Sequence, residues 1–366
     1  MWKSKMMFAA LCLMFLCGGC ESAELEQRGF PLAVGIDLQE TVKKEDVEKK
    51  LVVSFDFPDL AQISEKGKTM DTPMGMSLEG SNMYHVEKSY ENNTNRMLDY
   101  NHIKAMVLGE RLLSDAKSLR NLLRNLEQEE NAARNITLFV ANGSAAEILS
   151  LTEETEGSMG TYLEQMMESQ KDFRQKKIAT VGSLMNQWHN QNELLLLPVL
   201  SEKGNRPAVS GYAVISNFDY VGIITVEEAM QIFLCQNLIE TFICELNQEE
   251  AAEISDIRVS VSVADDRENP TVSVSVFGKG KMKAGQASSM GQEYQIEQRM
   301  EKRLMTKLQE TAQKLQQEYG IDITNSYVSL GGYNRKLYQK YKNQPETYNQ
   351  SVHHLFEVDI DILNWE

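Results

Sequence analysis

Cysteine, histidine and proline are scarce in this chain, and runs of apolar residues long enough to span a membrane are missing. Five cysteines and five histidines are spread over 366 residues. Beyond Cys17-Gly18-Gly19-Cys20, which has no second ligand pair to go with it, none forms a Cys-x-x-Cys, a His-Glu-x-x-His or a spaced pair on one helix face, so the usual zinc patterns are not written here. Seven prolines and no low-complexity tract exclude collagen-like and mucin-like designs. Positive charge is in deficit, with 37 Lys and Arg against 53 Asp and Glu and a formal net charge of -16. Such a chain lacks the electrostatic grip that non-specific binding to nucleic acid or to anionic lipid requires. No Gly-x-Ser-x-Gly elbow occurs, and no Ser-x-x-Lys stands in a catalytic context. What remains is 42% hydrophobic and 25% charged, a composition that buries real cores.

The N-terminus carries the sharpest signal. Met1-Trp2-Lys3-Ser4-Lys5 is a short basic start, Met6 to Cys17 are twelve uncharged and almost wholly apolar residues, and Gly18-Gly19-Cys20 follows. A spanning helix needs about twenty apolar residues, so this run fits a secretory signal over residues 1–19 instead. The small pair directly before Cys20 points to a lipoprotein signal, in which the Cys20 thiol takes a diacylglycerol and becomes the new N-terminus. The Leu usual three residues before that Cys is replaced by Cys17, with Leu16 one further out. A plain secretory signal cut elsewhere and a buried N-terminal helix are the other readings. Acyl burial contributes about 0.8 kcal/mol per CH₂, so two chains hold an acidic ectodomain on a membrane without a basic patch. Removing residues 1–19, with Lys3 and Lys5, leaves 347 residues at a formal charge of -18. That length predicts two or three domains.

Cys12 and Cys17 leave with the signal, which leaves Cys235 and Cys244 on a predicted helix. Nine helical residues separate them by about 13.5 Å, too far for a disulfide. Buried free thiols are expected, with no His or basic cluster nearby to activate them.

Along the chain, Leu32–Leu38 and Leu51–Phe57 read as short strands, and residues 61–80 as a Gly- and Met-rich loop. Tyr84 and Val86 open another possible strand. His102–Leu108 (strand), Asp115–Glu130 (helix) and Ile136–Val140 (strand) form a βαβ crossover with a parallel pair. Its helix carries Leu119, Leu122, Leu123 and Leu126 as a core-facing stripe. Ser144 and Glu147 have the spacing of a capping box. Two further helical segments carry Leu163, Met166 and Met167, then Leu184 and Trp188. Asn190–Glu193 is the best boundary, giving an N-terminal region over 20–192, with two subdomains, and a C-terminal domain over 193–366. The latter begins with a buried strand Leu194–Leu200, broken by Pro198. A hairpin follows, Ala208–Ile215 and Val221–Thr225, then a helix carrying Met230, Phe233, Leu234, Leu238 and Phe242. A second hairpin alternates Ile257, Val259, Val261, Val263 with Val272, Val274, Val276. The helix Glu293–Tyr319 is long and amphipathic, and Phe356, Val358, Ile360 and Ile362 alternate as a last strand. The fold class is α+β, mixed α/β and multi-domain: a βαβ unit in the N-terminal part, an antiparallel sheet packed by long helices in the C-terminal part.

Chemistry is mostly absent. His353-His354 reads as a solvated pair on opposite sides of a strand, and Asp359 and Asp361 as a solvated acidic face. Gly278-Lys279-Gly280-Lys281 lacks the Gly-Lys-Ser/Thr ending of a phosphate loop and reads as a flexible loop. Met70, Met74 and Met76 read as loop filling. No enzyme, cofactor or metal is called for.

Several segments, in order, resemble one family, the Ger(x)C lipoproteins, C subunits of the nutrient germinant receptors of endospore-forming bacteria. They are Cys20, Glu24-Leu25, Gly29 and Gly35-Ile36-Asp37; Ile103 with Leu108-Gly109-Glu110; Val140 to Ala145 with Glu147-Ile148-Leu149; Gly211 to Val214 with Val221-Gly222, Thr225 and Glu227-Glu228; and Glu318 to Ile323 with Arg335 and Tyr338. The Trp usual after the lipidated Cys is replaced by Glu21, and a Trp usual after the Arg-x-x-Tyr region is missing, with Tyr348 nearby. The resemblance implies a three-domain mixed α/β ectodomain without enzymatic activity. It would be anchored at Cys20 on the outer face of the spore inner membrane, beside integral-membrane A and B subunits, and would have no nucleic-acid partner. The competing class is a solute-binding lipoprotein of a membrane transporter, whose two doubly wound parallel domains conflict with an antiparallel C-terminal half.

Overall fold

A computed structural model describes residues 27–43, 46–58, 76–128, 134–151, 158–170, 172–176, 179–189, 194–266, 269–285 and 290–362. The signal, Cys20, the boundary 190–193 and Met70 and Met74 lie outside them. The strands are β1 (Arg28–Gly29), β2 (Ala33–Lys43), β3 (Asp46–Asp56), β4 (Met76–Gly80), β5 (Met97–Leu98), β6 (Ala105–Gly109), β7 (Thr137–Ala141) and β8 (Phe173–Gln175). They continue as β9 (Leu194–Glu202), β10 (Pro207–Ser216), β11 (Asp219–Ile224), β12 (Ile239–Asn247), β13 (Glu250–Asp266), β14 (Asn269–Ala284) and β15 (His353–Ile362).

Eight strands form a first sheet in the order β11-β10-β9-β7-β6-β2-β3-β4. Its four central strands are mutually parallel, and an antiparallel pair extends it at each side. The expected βαβ crossover is present: the helix Ala116–Gln128 connects β6 to its parallel neighbour β7 and buries Leu119, Leu122, Leu123 and Leu126. Helices cover both faces of this sheet, as a parallel centre requires. One face packs the helices Met83–Thr94, Ala116–Gln128 and Val181–His189, and the other Ala145–Leu149 and Met159–Glu168.

The second sheet runs β15-β14-β13-β12-β8. The hairpin β13–β14 buries Val263, Val272, Val274 and Val276 on one face and turns its serines outward. Against that apolar face lies the helix Met290–Tyr319, with Ile296, Met300, Leu304, Leu308, Ala312 and Leu315 buried in line. The last strand is an exception to the antiparallel expectation, since β15 runs parallel to β14. The chain reaches it through the long helix and the short helices between residues 326 and 351, a crossover in the sense that parallel pairing demands. On its outer edge the N–H groups of Ile360 and Ile362 donate to Glu301 Oε1 (3.1 Å) and Glu297 Oε1 (2.9 Å) of the long helix. Those carboxylates occupy sheet-edge donors that a foreign strand would otherwise pair with.

Strands from either side of residue 192 share both sheets. β9, β10 and β11 complete the first sheet, while β8 is the edge strand of the second. Leu196, Tyr212, Val214 and Ile224 of the first sheet accordingly pack in one core with β12–β15 and the long helix.

Several local expectations are corrected. Tyr84 and Val86 lie on the helix Met83–Thr94, not a strand; Asn82 caps it by accepting from the His85 N–H, and Met83, Val86 and Tyr90 form its buried stripe. Residues 76–80, expected within a loop, are the strand β4. Pro198 sits inside β9 without breaking it. The helix Val226–Cys235 stops before Leu238 and Phe242, which belong to β12 and its approach. Asn237 there takes a left-handed φ of 56°, and the Leu238 and Asn237 N–H groups return to Phe233 O (2.7 Å) and Leu234 O (2.9 Å), the paired bonds of a Schellman stop. Cys235 and Cys244 are therefore on different elements; both are free and buried, and burial pushes the Cys244 thiol up to about 11. Gly278–Lys281 is not a flexible loop but part of β14, where a Cβ on Gly278 would stand 2.5 Å from Ile254.

Candidate functional site

The first convergence of motif residues is structural. Asp37, on β2, accepts from the Ala145 N–H (2.8 Å), the Ala146 N–H (3.0 Å) and Ser144 Oγ (2.9 Å). It caps the helix Ala145–Leu149 from across the sheet, so the capping box expected from Ser144 does not form: Ser144 makes no cap bond. A Cβ on Gly109 would lie 2.1 Å from Asp37 Oδ1. Gly35-Ile36-Asp37, Leu108-Gly109-Glu110 and the Val140–Ala145 corner thus meet at one carboxylate, which fixes a strand end to a helix start.

A second convergence lies after the long helix. That helix ends at Gly320 (φ 65°), and Asp322, 3% exposed, follows. Its Oδ1 accepts from the Thr324 N–H (2.9 Å), Thr324 Oγ1 (2.6 Å) and His354 Nε2 (2.8 Å); Oδ2 accepts from the Ser326 N–H (2.9 Å) and Ser326 Oγ (2.5 Å). An ionised carboxylate only accepts, so the Ser326 proton points to Asp322 and the Tyr348 hydroxyl, 2.9 Å away, donates to Ser326. Burial works to raise the Asp322 pKa, but the hydrogen bond and charge of His354, with Ser326 and Thr324, outweigh it and bring it down to about 2. This corrects the solvated reading of His353-His354. His353 is exposed, whereas His354 is buried against Asp322 and stacked on Phe356.

The cluster has the ingredients of a hydrolase but not the arrangement. Both hydroxyls are turned onto the carboxylate rather than the imidazole, so no nucleophile–base contact exists in it, and Asp322 and His354 are sealed from solvent. Its effect is to hold the segment 322–329 rigid. That segment forms one wall of a cavity of about 460 Å³ whose other walls are β9, β13, the helix Val181–His189 and the turn Gln236–Leu238. The cavity stands where the two sheets meet. A second groove, of about 400 Å³, runs between β12, the helix Val226–Cys235 and the long helix, with Gln231 in its lining.

The other residues singled out from the sequence are dispersed, and no site assembles from them. His85 bonds Ser81, His189 pairs with Glu127, and His102 packs edge-on against Phe30. Asp359 and Asp361 line the exposed face of β15, as expected. Among the described residues no group of three or more His, Cys, Asp or Glu is placed to hold a metal ion, and no helix is long and apolar enough to cross a membrane.

Two sheets packed with helices, and polar clusters spent on holding chain segments together, define a mixed α/β fold. Comparison with known proteins gives it a family. The profile of the spore germination protein N-terminal domain matches residues 21–202, and that of the spore germination B3/GerAC-like C-terminal domain matches residues 210–364. The chain belongs to this spore germination family, the Ger(x)C proteins. A crystal structure of the GerBC protein superposes with a TM-score of 0.60 at 17% identity, covering 91% of this chain and 98% of that one; at that identity the likeness is one of fold. No curated protein matches.

Proposed function

We propose that this chain is the non-catalytic, lipid-anchored C subunit of a spore germinant receptor, held at Cys20 on the outer face of the spore inner membrane. There it stands beside integral-membrane A and B subunits and is needed for nutrient-triggered germination. The observation that carries this reading is the family match over nearly the whole chain beyond residue 20. The engagement of the buried His354–Asp322 pair in structural bonds supports a role without catalysis. Seven peptide units separate Cys20 from Gln27, the first described residue, and span at most about 25 Å. The anchor therefore keeps the folded part close to the bilayer, where confinement raises its effective concentration at integral partners. The second sheet, antiparallel but for β14–β15, does not have the doubly wound form of a solute-binding lipoprotein.

Spores carrying Cys20→Ala provide the test. The variant is expected to leave the membrane fraction and to depress nutrient-triggered germination, and cross-linking of the intact protein in spore membranes is expected to capture two integral-membrane subunits. Normal germination with every nutrient, together with capture of neither subunit, would overturn the reading.

A further inference from the structure

The cavity between the sheets has a composition that sets it apart from the rest of the molecule. A quarter of the chain is charged, so about five of twenty lining residues would carry charge if the lining were drawn at random; none does. Half of the lining instead bears an amide or a hydroxyl, among them Asn186, Asn325, Ser329 and Tyr333. The remainder is aliphatic or aromatic apart from the Cys235 thiol, with Val259 and Val261 of β13 on one side and Leu194–Leu196 of β9 on another.

These features select a ligand class. An ion entering the cavity would shed water and meet no charged lining side chain, the adjacent Lys176 ammonium being already held on Asn237 Oδ1 (2.8 Å), an unfavourable transfer. The nearest buried charge, Asp322, sits behind the wall with five donors already turned on it and opposes anions further. Gln175, Ser183, Gln236, Asn237, Thr324 and Ser326 already bond within the protein, and a purely apolar ligand would strand the other four, Asn186, Asn325, Ser329 and Tyr333. The fitting ligand is uncharged, dense in hydroxyl groups and possessed of an apolar face to lie on the valines. A volume of about 460 Å³ is within the range of small-molecule sites and admits one or two sugar rings. We propose that this cavity binds a neutral polyhydroxylated molecule of monosaccharide to disaccharide size. Its wall is made rigid by the Asp322–His354 cluster, so the amide of Asn325 and the hydroxyl of Ser329 are presented without the ordering cost that a loose loop would carry.

This proposal goes beyond the receptor reading and is tested separately from it, by titration of the chain alone. The full-length protein, in micelles of a polyoxyethylene detergent that carries no sugar headgroup, is titrated calorimetrically. The probes are glucose, fructose, inositol and trehalose, with glucose 6-phosphate, glutamate and lysine as charged counterparts. At least one neutral probe is expected to bind with a Kd below about 1 mM, and glucose 6-phosphate at least about tenfold more weakly than glucose. The exposed positions Asn186 and Ser329 allow Asn186→Leu and Ser329→Ala without disturbing a core. Each is expected to weaken binding by about five- to tenfold with an unchanged melting temperature. Silence from every neutral probe at about tenfold above that Kd, equal binding of the charged probes, or variants that retain full affinity would each overturn the proposal.

Discussion

At the scale of single residues, Asp322 and His354 illustrate how a buried charge becomes a structural part. Five donors converge on one carboxylate, and a proton on either oxygen would turn an acceptor into a donor facing one of them. Asp322→Asn puts an amide NH₂ where an acceptor is needed and leaves donors facing donors. The expected loss is about 3 kcal/mol, read by urea unfolding, whereas changing exposed His353 to Asn should stay within about 0.5 kcal/mol. The pH dependence follows from the same group. An unfolded Asp titrates near 3.8 and this one near 2, so between those values the unfolded chain binds the proton and the native chain does not. Its stabilisation is complete above about pH 4 and is lost as pH falls toward 2, by about 2 kcal/mol in all. Thermal unfolding of the parent chain should show this acid loss, and the Asp322→Asn chain should lack that part of it. The pair was half legible. His354 shares strand parity with Phe356, Val358, Ile360 and Ile362, the residues read as apolar and inward, so the alternation already placed it on the buried side. What the sequence does not show is the partner, which stands 32 residues away at the end of another element.

At the scale of elements, periodicity located what it could and failed where stop signals decide. The Leu119–Leu126 stripe, the long helix and both hairpins were readable because their apolar spacing extends over several turns or pairs. Leu238 and Phe242 kept helical spacing from Leu234, yet the left-handed Asn237 ends the helix and the β-branched Ile239, Thr241 and Ile243 continue as a strand. Asn237→Gly should be neutral or slightly stabilising, because glycine takes positive φ freely. Asn237→Val should destabilise by about 1–2 kcal/mol, and a shift of a few degrees in melting temperature checks both. Asp37 was legible as part of a motif but not as a cap, because its helix begins 108 positions later in the chain. Gly278 and Gly280 were misread for a related reason: glycine signals a loop locally, but here it makes room for Ile254 and Ile362.

At the scale of the whole molecule, the fold class followed from the order of elements, but the sharing of strands did not, since it depends on pairings between distant segments. A fragment comprising residues 203–366 lacks Phe173 and Leu196, which sit in the core of the second sheet. It is expected to unfold without a cooperative transition, whereas residues 20–366 should give one, as urea titration followed by circular dichroism would show. The same sharing has a temporal side. The four parallel strands at the centre of the first sheet join Ala33 to Ala105, Ala105 to Thr137 and Val140 to Val199, so loops of many tens of residues must close before the sheet exists. A chain synthesised from its N-terminus presents β2 long before β9 has been made, and the edge of β7 that β9 will pair stays open throughout that interval. Aggregation therefore competes with folding most strongly while the second half of the chain is still being made, and residues buried at the centre of the first sheet set how fast the native fold accumulates.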